Sequence, residues 1–169
     1  YIDRNPIEKI KSLTEEEKKR DALSIKDLNK LKKYLKEKNP YFLLLCQFEY
    51  YTFIRPDELT NIKLKDIQLK EQKIYVASSI SKNRKDGMVG LNDELLKSMI
   101  DLDIFSYHND CYLFGPKFKP SEVKASTKIY RSYFNKIRTE LKFPNSYQFY
   151  SLKAVSYTHL RAHETCADL

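Results

Sequence analysis

An arginine stands at the foot of an oily segment in this 169-residue chain. The run Tyr41 to Tyr51 (YFLLLCQFEYY) is almost unbroken apolar, and the chain continues TFIRPDELTNIKLKDI from Thr52 to Ile67. A guanidinium at the end of a buried helix is expensive to desolvate unless an anion or a carboxylate meets it. Arg55 occupies that place, and Glu58 follows one helical turn later on the same face. Two readings are open on these residues alone. Arg55 is an anion-binding arginine held by Glu58, or the two form a structural ion pair at a helix start.

The elements that must position this arginine can be traced by spacing. Ser24 reads as an N-cap with Asp27 at the third helical position. Ile25, Leu28, Leu31 and Leu35 then fall at helical intervals, with lysines on the other face. Asn39-Pro40 ends that helix, and Pro40 opens the next, a core helix from Tyr41 to about Phe53. A short helix is expected over Asp57 to Ile62. Lys73 to Ile80 alternates and is rich in β-branched residues, so it reads as a strand. Asp86-Gly87 signals a turn, after which Met88 to Leu91 pairs back. Asn92 caps a helix running to about Leu102. Cys111 to Phe114 reads as a short buried strand, and Lys117 to Lys124 as a basic loop. Ser126 to Leu141 is amphipathic, with Ile129, Tyr133, Ile137 and Leu141 expected inside. Pro144 breaks the chain, and a last helix starts at Phe149 to Ala154. The expected class is mainly α with a small antiparallel β-sheet.

The balance of 31 Lys and Arg against 23 Asp and Glu gives a net charge of +8. Basic charge interleaved with Tyr and Phe suits a polyanion, because each cation near a phosphate releases a counterion. A lysine-rich composition by itself also produces such a charge. Cys46, Cys111 and Cys166 show no paired spacing, and with three His no zinc spacing appears. That pattern fits a reducing, cytoplasmic compartment. The longest apolar run is too short to span a bilayer and carries Gln47 and Glu49.

Three segments in order carry a family resemblance. TFIRPDELTNIKLKDI, Thr52 to Ile67, resembles the first arginine box of the tyrosine recombinases, the phage-integrase family, which closes on a short strand ending in Asp-Ile, here Asp66-Ile67. SSISKNRKDGMVGL, Ser78 to Leu91, resembles the family's lysine-bearing β-hairpin, and YQFYSLK, Tyr147 to Lys153, its second box. The resemblance covers about Ser24 to Lys153 and implies the tyrosine recombinase catalytic-domain fold. It implies a chemistry without metal or cofactor, on double-stranded DNA, through a 3′-phosphotyrosyl link. Breaking a phosphodiester this way needs a nucleophile, cations for the non-bridging oxygens and a proton donor for the leaving 5′ oxygen.

Carried over by motif, Arg55 is the first arginine, whose planar fork grips two phosphate oxygens, supported by Glu58. Lys82 is the hairpin lysine that donates a proton to the leaving oxygen, with Lys85 three residues on as the alternative. Where most members have H-x-x-R, this chain has Tyr150-Ser-Leu-Lys153, a form that resembles integrases of Bacteroides-type elements. Lys153 keeps the charge but loses bidentate geometry. Tyr150 can hydrogen-bond but is no base near neutral pH. Without the resemblance, Lys82 and Lys85 read as a solvated hairpin, and Phe149, Tyr150 and Leu152 as core at a helix start.

The nucleophile is expected to be absent. The tail VSYTHLRAHETCADL, Val155 to Leu169, looks like translated sequencing-adapter read-through, and Tyr157 within it lies too close to Lys153 to serve. A genuine C-terminus is the competing reading, although His159, Arg161 and His163 have the wrong spacing for the family's box under either. Residues 1–23 read as a linker after a missing DNA-clamping domain, 24–154 as a partial catalytic domain, and 155–169 as non-native. The whole family member would self-associate on DNA as a tetrameric synapse. Two alternatives stay open: a non-catalytic DNA-binding relative, and a basic helical interaction domain.

Overall fold

The computed structural model describes residues 21–81 and 83–154. Lys82, Tyr157, Cys166 and the whole 155–169 tail therefore lie outside the described residues, as does all but the end of the 1–23 segment.

Helix α1 (Ile25–Lys38) starts where Ser24 Oγ accepts the Asp27 amide at 3.1 Å. That bond satisfies an amide the first turn would otherwise leave orphaned. Leu28, Leu31 and Leu35 are buried, whereas Ile25 at the first position is exposed. Asn39 repeats the device, its Oδ1 accepting from the Phe42 amide at 3.0 Å, and Pro40 supplies the fixed φ of a first turn. Helix α2 (Pro40–Thr52) is enclosed on most sides, with Phe42, Leu44, Leu45 and Phe48 fully buried. Helix α3 (Pro56–Leu59) and a 3-10 turn at Leu64–Asp66 lead into a three-stranded antiparallel sheet.

Strand β1 (Ile67–Gln68) pairs with β2 (Lys73–Val76), which pairs with β3 (Gly87–Gly90) in the order β1-β2-β3. Ile74 faces Ile67 on one side and Val89 on the other. Ile74 and Val76 point into the core while Lys73 and Tyr75 point out, the period-2 alternation of a half-buried strand. Helix α4 (Asp93–Asp101) begins with Asn92 Oδ1 accepting from the Leu95 amide at 2.9 Å. Helix α5 (Thr127–Glu140) closes the core, and 151–154 form a last helical turn.

Several expectations shift. The strand expected over Lys73 to Ile80 stops at Val76, because Ala77 begins a turn: its carbonyl accepts from both the Ile80 and Ser81 amides. The short helix ends at Leu59 rather than Ile62. Asp66 does not end a strand. It closes a 3-10 turn by accepting the Lys63 amide at 2.8 Å, and the strand begins at Ile67. Cys111 to Phe114 makes only isolated bridges, Tyr112 to Lys63 and to Ser121. On helix α5, Ile137 and Leu141 are buried as expected, but Tyr130 and Phe134 take the inner positions expected of Ile129 and Tyr133, which are only partly buried.

The core is an aromatic cluster around α2. Phe42 meets Phe118 at 4.8 Å and Tyr133 at 4.7 Å, and Phe48 meets Phe114 at 5.3 Å, in edge-on geometries. Tyr130 is fully buried, yet its hydroxyl has no partner among the described residues. A buried unpaired hydroxyl keeps its desolvation cost with no bond to offset it, so Tyr130→Phe is expected to raise unfolding stability by about 1 kcal/mol. Urea denaturation of the two proteins checks this, and a loss of stability would reveal a partner for the hydroxyl.

Candidate functional site

Arg55 caps α3. Its backbone amide donates to Glu58 Oε2 at 3.0 Å and its Nη1 donates to Glu58 Oε1 at 3.2 Å. Pro56 fixes the first helical position, so the cap residue is held extended. The Glu58 side chain is only 11% exposed and Arg55 37%. Glu58 thus aims the guanidinium. The ion pair of the sequence reading is real, but one nitrogen contact does not exhaust a fork with five N–H donors. Arg55 lines an open cleft of about 220 Å³ together with Pro56, Asp57, Arg131, Gln148, Phe149 and Tyr150.

The second segment reaches this cleft because three elements hold it. Arg138 on α5 donates through Nη1 to the carbonyls of Asn145 and Tyr147, each at 3.0 Å. Tyr147 Oη donates to Asp27 Oδ2 at 3.0 Å and accepts the Ser24 amide at 3.2 Å, which ties it to the start of α1. Phe149 is buried near Phe42, Tyr130 and Phe134, with ring centroids about 6 Å away. Tyr150, next in the chain, stays 38% exposed and faces the cleft. Phe149 and Leu152 go into the core, as expected without the family resemblance; Tyr150 does not.

Lys153 does not line the cleft. Its Nζ donates to the Phe53 carbonyl at 2.7 Å and lies 5.7 Å from the Phe53 ring and 5.6 Å from the Tyr150 ring. The ammonium thereby meets the negative end of α2 and two aromatic faces. Phe53 itself is left-handed, with φ of 55°. A non-glycine residue pays roughly 1 to 2 kcal/mol for that conformation, a strain of the kind found at functional corners. Phe53 is two residues before Arg55, so the structure brings Arg55, Tyr150 and Lys153 to one corner of the fold. Lys85 is exposed on the loop between β2 and β3 and is not among the cleft residues. That loop is pinned by Asp86, whose Oδ1 accepts the Ser78 amide at 2.6 Å. This bond, with help from Tyr75, holds the Asp86 carboxyl below its usual range.

Two groups escaped the sequence reading. Arg131 sits on the exposed side of α5, next to buried Tyr130, and brings a second guanidinium to the cleft. In the sequence it is one cation among many on a solvated helix face. Glu49 is fully buried on α2, and its two carboxyl oxygens have no hydrogen-bond partner among the described residues. Burial pushes its pKa up to about 8, Glu58 pushes the same way, and the attraction of Lys153 opposes them. Its position in an apolar helix was the available signal. Among the described residues no cluster of His, Cys, Asp or Glu could hold a metal ion, and no helix is long and apolar enough to cross a membrane.

The model of the Phage integrase family matches residues 21–165. The chain belongs to that family. Two solved structures share its fold. One is XerA recombinase, 21% identical, with a TM-score of 0.65 over 83% of this chain and 50% of that one. The other is the Tn1549 transposon integrase in complex with circular intermediate DNA, 11% identical, with a TM-score of 0.67 over 89% of this chain and 55% of that one. The fold is that of a tyrosine recombinase catalytic domain, and the chain spans about half the length of each of these structures. Comparison with curated proteins gives no match.

Proposed function

We propose that this chain is part of a site-specific DNA recombinase or integrase that cuts and rejoins double-stranded DNA through a 3′-phosphotyrosyl intermediate. The observation that carries the reading is the corner where Glu58-held Arg55 shares a cleft with Arg131 and Tyr150, with Lys153 against Tyr150. Arg55 takes the non-bridging oxygens of the scissile phosphate, because a planar fork matches two of them at once. Tyr150 donates a hydrogen bond to the same phosphate and Lys153 adds charge. Lys82, or Lys85 in its place, protonates the leaving 5′ oxygen. The attacking tyrosine is not among the residues assigned to the site, so this chain binds DNA without cleaving it. The whole protein works in the cytoplasm as a tetramer on paired DNA sites. The Tn1549 integrase was solved on DNA, which supports DNA as the partner.

A non-catalytic DNA-binding relative is the second reading, favoured by one feature: Lys153 is engaged with the Phe53 carbonyl and does not line the cleft. Incubation with a nicked suicide duplex tests the proposal. The expected result is salt-sensitive binding with no covalent adduct. An adduct would overturn the assignment of a missing nucleophile, and binding indifferent to salt would overturn the DNA reading.

A further inference from the structure

Helix α2 carries a carboxylic acid where its surroundings are apolar. Glu49 is 0% exposed, and neither carboxyl oxygen finds a hydrogen-bond partner among the described residues. An ionised carboxylate in such a place is costly, so the group holds its proton. One helical turn later the same helix ends at Phe53, whose carbonyl accepts from Lys153. Two charged groups act on Glu49 in opposite senses. Lys153 on the last helical turn draws its proton off, and Glu58 on α3, itself held by Arg55, keeps it on. On its own helix the buried Cys46 thiol, pushed up by burial, stays uncharged.

The Lys153 ammonium has three donors, and the Phe53 carbonyl takes one. The others can serve an anion inside the fold or one outside it. We propose that Glu49 is a positioning residue for Lys153: uncharged, it leaves the ammonium to an anion at the cleft, and ionised, it draws the ammonium inward against the end of α2. The inference rests on the reading of Lys153 as a phosphate-facing cation. Coupling of this kind is reciprocal. A phosphate held by Lys153 makes Glu49 keep its proton more tightly, and an ionised Glu49 weakens the phosphate contact by the same factor. Because burial pushes the Glu49 carboxyl up to about 8, the exchange falls just above neutral pH.

The test is the affinity of the full chain for a short DNA duplex at constant ionic strength, followed from about pH 6.5 to about pH 9.5 in wild type, Glu49→Gln and Arg55→Ala. Wild-type affinity is expected to fall about tenfold through the Glu49 titration, and Glu49→Gln to keep its neutral-pH affinity throughout. If Arg55→Ala weakens binding but Glu49→Gln follows the wild-type curve, this inference fails while the cleft reading stands. If Arg55→Ala leaves affinity untouched, the cleft reading fails and takes the inference with it. A measurement on the unaltered protein guards against a variant that folds poorly. The carbon-13 resonance of the Glu49 carboxyl is expected to titrate about one pH unit higher with duplex present. An unmoved midpoint overturns the proposal.

Discussion

Glu49→Gln is expected to stabilise the fold by about 3 to 4 kcal/mol more at about pH 8 than at about pH 4. The sign follows from where the proton sits. Folding raises the Glu49 pKa from 4.5 to about 8. Below 4.5 both states hold the proton and nothing is lost. Between the two values the unfolded chain releases its proton while the folded chain keeps it, so wild-type stability declines as pH rises. Above about 8 both states are ionised and the decline stops. Glutamine is uncharged in both states and shows no such slope. Other carboxylates titrate too, including Asp86 and Asp110, which are held low in the folded state. Their contributions are shared by the two proteins and cancel in the difference. Urea denaturation across the pH range checks this. Parallel stability curves would mean that Glu49 has a partner which holds it ionised.

Arg55→Ala is expected to weaken duplex binding by about tenfold or more and to lower the salt dependence by about one unit of slope, the signature of one lost phosphate contact. Arg55→Lys is expected to keep the slope and lose part of the affinity, because a lysine keeps the charge without the fork. The same pair of variants separates the two meanings of the Arg55–Glu58 bond. Arg55→Ala also removes the Nη1 contact to the nearly buried Glu58 side chain, so it lowers stability under either meaning. Loss of stability with duplex affinity unchanged, measured by fluorescence anisotropy below the unfolding transition, would leave Arg55 as a structural ion pair only.

How far the sequence reveals this arrangement depends on how local each signal is. Ser24 and Asn92 announce their helices because a cap is satisfied by a residue three positions away, whereas the same bond at Asn39 shows only in the structure. The apolar run of α2 and the spacing of Leu28, Leu31 and Leu35 place those helices for the same reason. The Arg55–Glu58 pair is legible because it closes within one turn. Failures begin where a partner is remote. Nothing near Cys111 to Phe114 says that Tyr112 will bridge to Lys63 and Ser121 without forming a strand. Ile80 is β-branched, yet the turn at Ala77 overrides its preference. Arg131 becomes part of the cleft only through the packing of α5 on Phe149, which lies 5.9 Å from the Tyr130 ring. The Lys153 contact spans 100 residues of sequence, and motif likeness gives its expected role but not its hydrogen bond to Phe53. Glu49 shows in sequence only as an interruption of an apolar run; its isolation needs the fold around it.

On the proposed function, Arg55 and Lys153, far apart in the chain, address a single backbone phosphate. A double-mutant cycle with Arg55→Ala and Lys153→Met, read as duplex affinity at one salt concentration, tests it most directly, since methionine keeps the apolar stem and removes the charge. Shared contact gives single losses that do not add, with a coupling of about 1 kcal/mol. Losses that add in full, or a Lys153→Met protein that binds like wild type, would mean that the two cations do not serve one phosphate.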